Sequence, residues 1–229
     1  MKVNKMEQIE VAKSHQGSLI EGFLSAPMDV LKKQHPLLLI GGVHGDEPEG
    51  VELAQATLDW LKSTEEDLVP WIVVPCLNPD GYGQKTRVNG IGVDLNRNYP
   101  SKSWSPEFEK ERYFPGQNPG SEPEIKGICD LIETVHPRLI IHCHSWKPCI
   151  VSTGSPGLSD AKHLGKSSGY EVIEHIGYDT PGSLSEYGWH DQGIPIICIE
   201  EEDGAPLNQV WPRFQEGMKS IFRDQSSRR

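Results

Sequence analysis

An imidazole and a carboxylate stand three residues apart at the end of an apolar run: His44 and Glu47 in IGGVHGDEPEG (residues 40–50), with Pro48 directly after. Two histidines and one carboxylate with an open fourth position make a catalytic zinc site of the peptidase kind. The pair could be half of one, completed by a histidine from elsewhere. The stretch HCHSW offers two, His142 and His144, which alternation places on one face of a strand. A simpler reading stands beside this one, because a carboxylate and a proline also suit the first turn of a helix. Between these histidines, NPDGYGQKTRVNGIGVDLNRNYP (78–100) carries Arg87 and the pair Asn96–Arg97. Guanidinium groups suit bidentate recognition of carboxylates and polarisation of a carbonyl.

The surrounding pattern is one of apolar runs alternating with helical periodicity. PLLLIGG (36–42), WIVVP (71–75), RLIIHCH (138–144) and IPIICIEE (194–201) read as strands. PEGVELAQATLDWLKS (48–63) reads as a helix, with Val51, Ala54, Leu58 and Leu61 on one face. GSEPEIKGICDLIETV (120–135) reads as another, with Ser121 and Glu124 as a capping box. A further helix is expected to start in LSDAKHLGKSSG, and a C-terminal one to follow Pro212. QIEVA and SLIEGFLSA suggest an antiparallel pair at a sheet edge. The expected architecture is α/β, a mixed, largely parallel sheet with helices on both faces, forming one domain over residues 1–229. Such sheets bind ligands beyond the carboxyl ends of their strands. His44 and Glu47, Asn78, His144 and Glu200 all fall at such ends. The segment from Asn78 to Pro119 has little periodicity, and a long irregular stretch in a compact domain is usually functional.

Composition narrows the partners. With 36% hydrophobic and 24% charged residues the chain reads as an ordinary globular enzyme rather than a disordered one. A net charge of −11 argues against nucleic acid and against an anionic membrane surface. No run approaches the ~20 apolar residues of a membrane span, and MKVNKMEQIEVAKSHQG lacks a signal peptide's apolar core. Five cysteines without CxxC spacing argue against a disulfide framework, so they are expected as buried thiols in a reduced, cytoplasmic protein.

Taken together, HxxE at His44–Glu47, NPDG, Arg87, GVDLNRN, a histidine at a strand end and a glutamate in a later one resemble the zinc carboxypeptidase superfamily. GVDLNRNYP, PGSEPE, IGYDTPGS and IPIICIE look most like its murein tripeptide amidases, which cut the γ-D-glutamyl–meso-diaminopimelate bond of cell-wall peptides. The resemblance implies one zinc ion per chain on His44, Glu47 and His144, with Glu200 as general base. It implies that Arg97 polarises the scissile carbonyl, that Asn96 and Arg87 engage the substrate carboxylate, that Asp94 fixes the tautomer of His44, and that Tyr178 covers the substrate. His142 is expected in packing or as a support for a ligand. The substrate implied is L-Ala-γ-D-Glu-meso-diaminopimelate, whose distal ammonium makes Glu186 and Asp191 candidates for a specificity pocket. A deacylase of the succinylglutamate desuccinylase or aspartoacylase kind, and a non-catalytic binding module, remain alternatives.

Overall fold

Both faces of the central strands are covered, which is why their sequences are continuous apolar runs rather than alternating ones. The computed structural model describes residues 6–223; the opening residues 1–5, read above with the N-terminal stretch, lie outside it. In chain order the elements are β1 (Glu7–Lys13), β2 (Leu19–Leu24), α1 (Met28–Leu31), β3 (Leu37–Ile40), α2 (Pro48–Ser63), β4 (Trp71–Val74) and α3 (Pro79–Gln84). They continue with α4 (Pro123–Val135), β5 (Leu139–Trp146), β6 (Cys149–Thr153), α5 (Leu158–Ser168), β7 (Val172–Ile173), β8 (Ile196–Glu202) and α6 (Leu207–Phe222).

The strands form one eight-stranded sheet in the order β1-β2-β4-β3-β5-β8-β6-β7. β4, β3, β5 and β8 run parallel, and β1 and β2 form the expected antiparallel pair at one edge. Alternation divides the core. Leu38, Ile40, Ile72 and Ile140 face α4 through Ile125, Ile128 and Ile132. Leu37, Leu39, Val73 and Ile141 face α2 and α6 through Leu53, Leu58, Phe214 and Met218. The mixed α/β sheet with helices on both faces is thus as the sequence suggested.

Several local expectations change. β6 and β7 were not anticipated; β6 lies antiparallel to β8 and lets the last strand sit inside the sheet rather than at its edge. The C-terminal helix does not wait for Pro212 but begins at Leu207, with the proline inside it. Burial of Val210, Phe214 and Met218 along one stripe outweighs the one backbone hydrogen bond that proline removes. Ser121 and Glu124 do not form a capping box: the helix starts at Pro123 with Glu122 as its N-cap, and no side chain caps it. The Ser121 hydroxyl instead donates to Glu122, while Glu124 accepts from the His15 backbone N–H.

The irregular stretch 78–119 is less structureless than its sequence. Asn78 caps α3, accepting from the Gly81 N–H at 2.9 Å, and short 3-10 turns occur at Leu95–Arg97 and Glu111–Tyr113. The Asn78 amide also donates to the carbonyls of Val43 and Arg87, at 3.3 Å each. Its place at a strand end is therefore structural, clamping the turn that carries His44 to the segment that carries Arg87.

That clamp needs a residue without a side chain at Gly45, where a Cβ would lie 1.9 Å from the Gly81 carbonyl carbon. Gly45→Ala is expected to cost about 3 kcal/mol by overpacking, read as a lower urea midpoint. An unchanged midpoint would contradict this close approach.

Candidate metal and peptide site

The carboxyl ends of β3, β5 and β8 bring the chemistry together. β5 and β8 run in parallel register with His144 opposite Glu200 and His142 opposite Cys198, so all four side chains share one face. His44 and Glu47 arrive from the turn between β3 and α2. Glu47 occupies the N-cap position of α2, with Pro48 at the first helical position, but its side chain makes no capping hydrogen bond.

That carboxylate turns toward the two histidines instead. His44 Nδ1 lies 2.9 Å from Glu47 Oε1, His144 Nδ1 lies 2.8 Å from Glu47 Oε2, and the two Nδ1 atoms are 3.0 Å apart. Zn–N bonds near 2.0 Å put tetrahedral neighbours about 3.3 Å apart, so the three donors need only a few tenths of an ångström of adjustment. The donor set fits zinc. Burial disfavours the charge on Glu47, yet the facing His44 and His144 hold its carboxyl well below the usual range.

Each histidine is oriented from behind. His44 Nε2 is 3.1 Å from Asp94 Oδ1. Burial opposes charge on Asp94 too, and Arg87, with His44, outweighs it and pushes the carboxyl down. The same Oδ1 accepts from the Asn96 N–H, while Oδ2 accepts from Arg87 Nε at 3.0 Å. One aspartate therefore orients a ligand, caps the Leu95–Arg97 turn and holds a guanidinium. His144 Nε2 is 2.9 Å from His142 Nδ1. With Nδ1 of His144 given to a metal, its Nε2–H donates to His142 Nδ1, and His142 carries its own proton on Nε2, a buried atom with no partner among the described residues. Burial, then the neighbouring His144, keeps His142 neutral by lowering its pKa well below the usual histidine value. His142 is thus a hydrogen-bond support for His144; alternation along the strand was the only sequence signal for it.

Glu200 points into the same space with only 7% exposure. Its Oε1 accepts from the Cys198 thiol at 3.4 Å, and its Oε2 is buried with no partner among the described residues. Burial, with Glu47 nearby, raises its pKa against the pull of His144. The three adjacent carboxylates separate cleanly. Glu201 faces the other side of the sheet, where Arg213 and Tyr170 donate to its Oε1, and Glu202 is exposed. Cys198 and the other four cysteines are unpaired thiols.

These residues open on a cavity of about 800 Å³, within the range of ligand sites. Asn96 and Arg97 line it, and the Asn96 side-chain oxygen Oδ1 accepts from the Leu184 N–H. Behind Arg97 the chain of TPGS passes so close that a Cβ on Gly182 would sit 2.2 Å from the Arg97 carbonyl oxygen, at a φ of +70°. Tyr178 stands exposed on the rim with its ring edge-on to Trp146 at 5.7 Å. Arg87 is already engaged by Asp94 and, through Nη1, by Glu47 Oε1 at 3.2 Å. Arg97 donates to the Asn96 carbonyl and has no carboxylate partner within 4 Å among the described residues. Glu186 and Asp191 do not line the cavity: Glu186 lies 4.0 Å from His190, and Asp191 pairs with Lys102 at 3.4 Å.

Residues 2–156 match the family model described as zinc carboxypeptidase. The chain belongs to the zinc carboxypeptidase family. Among curated members of related sequence, murein peptide amidase A of Escherichia coli (strain K12) is 31% identical over 176 residues, covering 72% of this chain and 69% of that protein. The protein of the same name in Vibrio campbellii (strain ATCC BAA-1116) is 28% identical over 175 residues, covering 71% and 68%. Among solved structures, murein-tripeptide amidase from Escherichia coli O157 superposes with a TM-score of 0.73 at 24% identity, covering 93% of this chain and 90% of that one. Carboxypeptidase A of Helicoverpa armigera gives 0.77 at 21% identity, with 94% and 67% coverage. As a member of this family the chain is a metallopeptidase. No helix among the described residues is long and apolar enough to cross a membrane.

Proposed function

We propose that this zinc carboxypeptidase-family chain hydrolyses the γ-D-glutamyl–meso-diaminopimelate bond of murein tripeptide, a step in recycling cell-wall peptides, and that it acts in the cytoplasm. The observation that carries the reading is the convergence of His44 Nδ1, His144 Nδ1 and the Glu47 carboxylate within 3.0 Å of one another, beside Glu200. The likeness to proteins named murein peptide amidase supplies the substrate class.

His44, Glu47 and His144 would hold one zinc ion, which would supply Lewis-acid polarisation and acidify an attacking water. Glu200, raised in pKa and with one oxygen free, takes a proton from the attacking water and passes it to the leaving amine. The geometry favours exchanging the roles first read for the two arginines. Arg87, bonded to the ligand Glu47, stands where it can polarise the scissile carbonyl, and its charge is already neutralised by Asp94 and Glu47. Arg97, free of carboxylates and beside the Asn96 amide, suits the carboxylate of the leaving residue. Tyr178 closes over the bound peptide from the rim.

The test is incubation of zinc-loaded protein with L-Ala-γ-D-Glu-meso-diaminopimelate, with products resolved by chromatography. Release of diaminopimelate is expected. Release from ordinary α-linked peptides but not from this one would place the chain elsewhere in the family.

Arg97→Lys is expected to lower kcat/KM at least tenfold, because a point charge cannot replace a bidentate fork. Amidating the leaving-residue carboxylate should produce a similar loss in wild type and little further loss in the variant. Equal cleavage of acid and amide by wild type would remove this role from Arg97.

A further inference from the structure

A γ-linked glutamyl residue differs from an ordinary peptide residue on the acyl side of the scissile bond. Its own α-carbon, with an N–H and a free carboxylate, hangs from the acyl chain instead of lying in the peptide backbone. A site that selects such a residue by its free carboxylate needs a cation separate from the one that holds the leaving residue.

The cavity wall provides one. Four cationic side chains line the cavity: Arg87, Arg97, Lys110 and Arg112. Arg87 is taken by Asp94 and Glu47, and Arg97 lies against the TPGS segment with Asn96. Arg112 Nη2 lies 3.3 Å from Asp46 Oδ2, and Asp46 belongs to the turn that carries His44 and Glu47. Tyr113 lies between the two guanidiniums, with Arg87 5.3 Å and Arg112 5.7 Å from its ring centroid. These contacts hold the Arg112 head against Tyr113 and against the turn that carries His44 and Glu47. Lys110, by contrast, has no such anchor among the described residues.

Asp46 uses only one oxygen on this arginine. Its Oδ1 is buried and has no partner among the described residues. Arg112 thus offers the cavity a guanidinium on a half-exposed side chain, with one donor given to Asp46.

We infer that Arg112, held by Asp46, forms the acyl-side specificity site and binds the α-carboxylate of a γ-linked glutamyl residue. The inference rests on the reading of the enzyme as a γ-D-glutamyl peptidase and adds the means by which it would tell γ-linked from α-linked acyl groups. A charge-assisted hydrogen bond at a partly exposed site is worth roughly tenfold in kcat/KM.

Two substrates separate the outcomes: L-Ala-γ-D-Glu-meso-diaminopimelate, and the same peptide with the glutamyl α-carboxylate converted to its carboxamide. Wild type is expected to prefer the free acid about tenfold, chiefly through KM. Arg112→Gln should cleave both at the wild-type rate for the amide, and Lys110→Gln should keep the preference. Equal cleavage of both substrates by wild type overturns the inference while leaving the γ-glutamyl activity standing. Loss of both activities in parallel in Arg112→Gln reduces Arg112 to a prop for the Glu111–Tyr113 turn and overturns it as well. If the preference disappears in Lys110→Gln instead, the residue is wrongly assigned. Failure of wild type to cleave either peptide, while an α-linked one is cut, sinks the proposed function itself.

Discussion

Glu200→Gln is expected to bind zinc normally and to lose about 10²–10⁴-fold in turnover, the usual share of general-base catalysis. The amide keeps the shape of the side chain and can still accept from the Cys198 thiol, but it cannot take a proton from water. The orphaned Oε2 is the atom whose replacement matters. Glu201→Gln is the control one residue away. Its carboxylate is bound by Arg213 and Tyr170 on the opposite face of the sheet, so its loss should weaken a partly buried ion pair and appear as reduced stability with turnover per folded molecule retained. Steady-state rates normalised to folded protein, with urea melts of both variants, make the comparison. Near-normal turnover in Glu200→Gln together with a collapse in Glu201→Gln would mean that the β8 register is misplaced.

The second large effect concerns metal content. His144→Ala removes one of three converging donors and should abolish stoichiometric zinc in the dialysed protein. His142→Ala removes only the acceptor behind His144 Nε2, and disturbance of such supporting bonds commonly costs 10–100-fold in metal affinity. Elemental analysis after dialysis against graded chelator would show the first variant empty at all concentrations and the second emptied earlier than wild type. The reverse order would make His142 the ligand.

The parts of the fold legible in the sequence are those where local and long-range demands agree. β3, β4, β5 and β8 stand out as apolar runs because each is buried on both faces, and the ends of three of them mark the site. β6 did not stand out. It is five residues, CIVST, and becomes a strand because β8, some forty positions later, pairs with it. The start of α6 was misjudged for the opposite reason: Pro212 is a strong local signal, overruled by a buried stripe that only the tertiary structure supplies.

The site shows the same division. That His44, Glu47, His144 and Glu200 lie together was legible from their places at strand ends and from the family resemblance. The assignment of the two arginines was not, because which guanidinium is free depends on Asp94 and Glu47 reaching Arg87 from seven and forty residues away. Nothing in the sequence marked Asp46, whose partner Arg112 is 66 positions away.

β8 is the last strand in the chain yet lies between β5 and β6. During synthesis the three metal donors at 44, 47 and 144 emerge well before residue 200. Until β8 arrives, β5 and β6 each offer an open edge to any extended chain nearby, a hazard for self-association that ends when the strand inserts. Insertion also delivers Glu200 to the face that carries His144, so sealing the sheet and completing the candidate site are a single event.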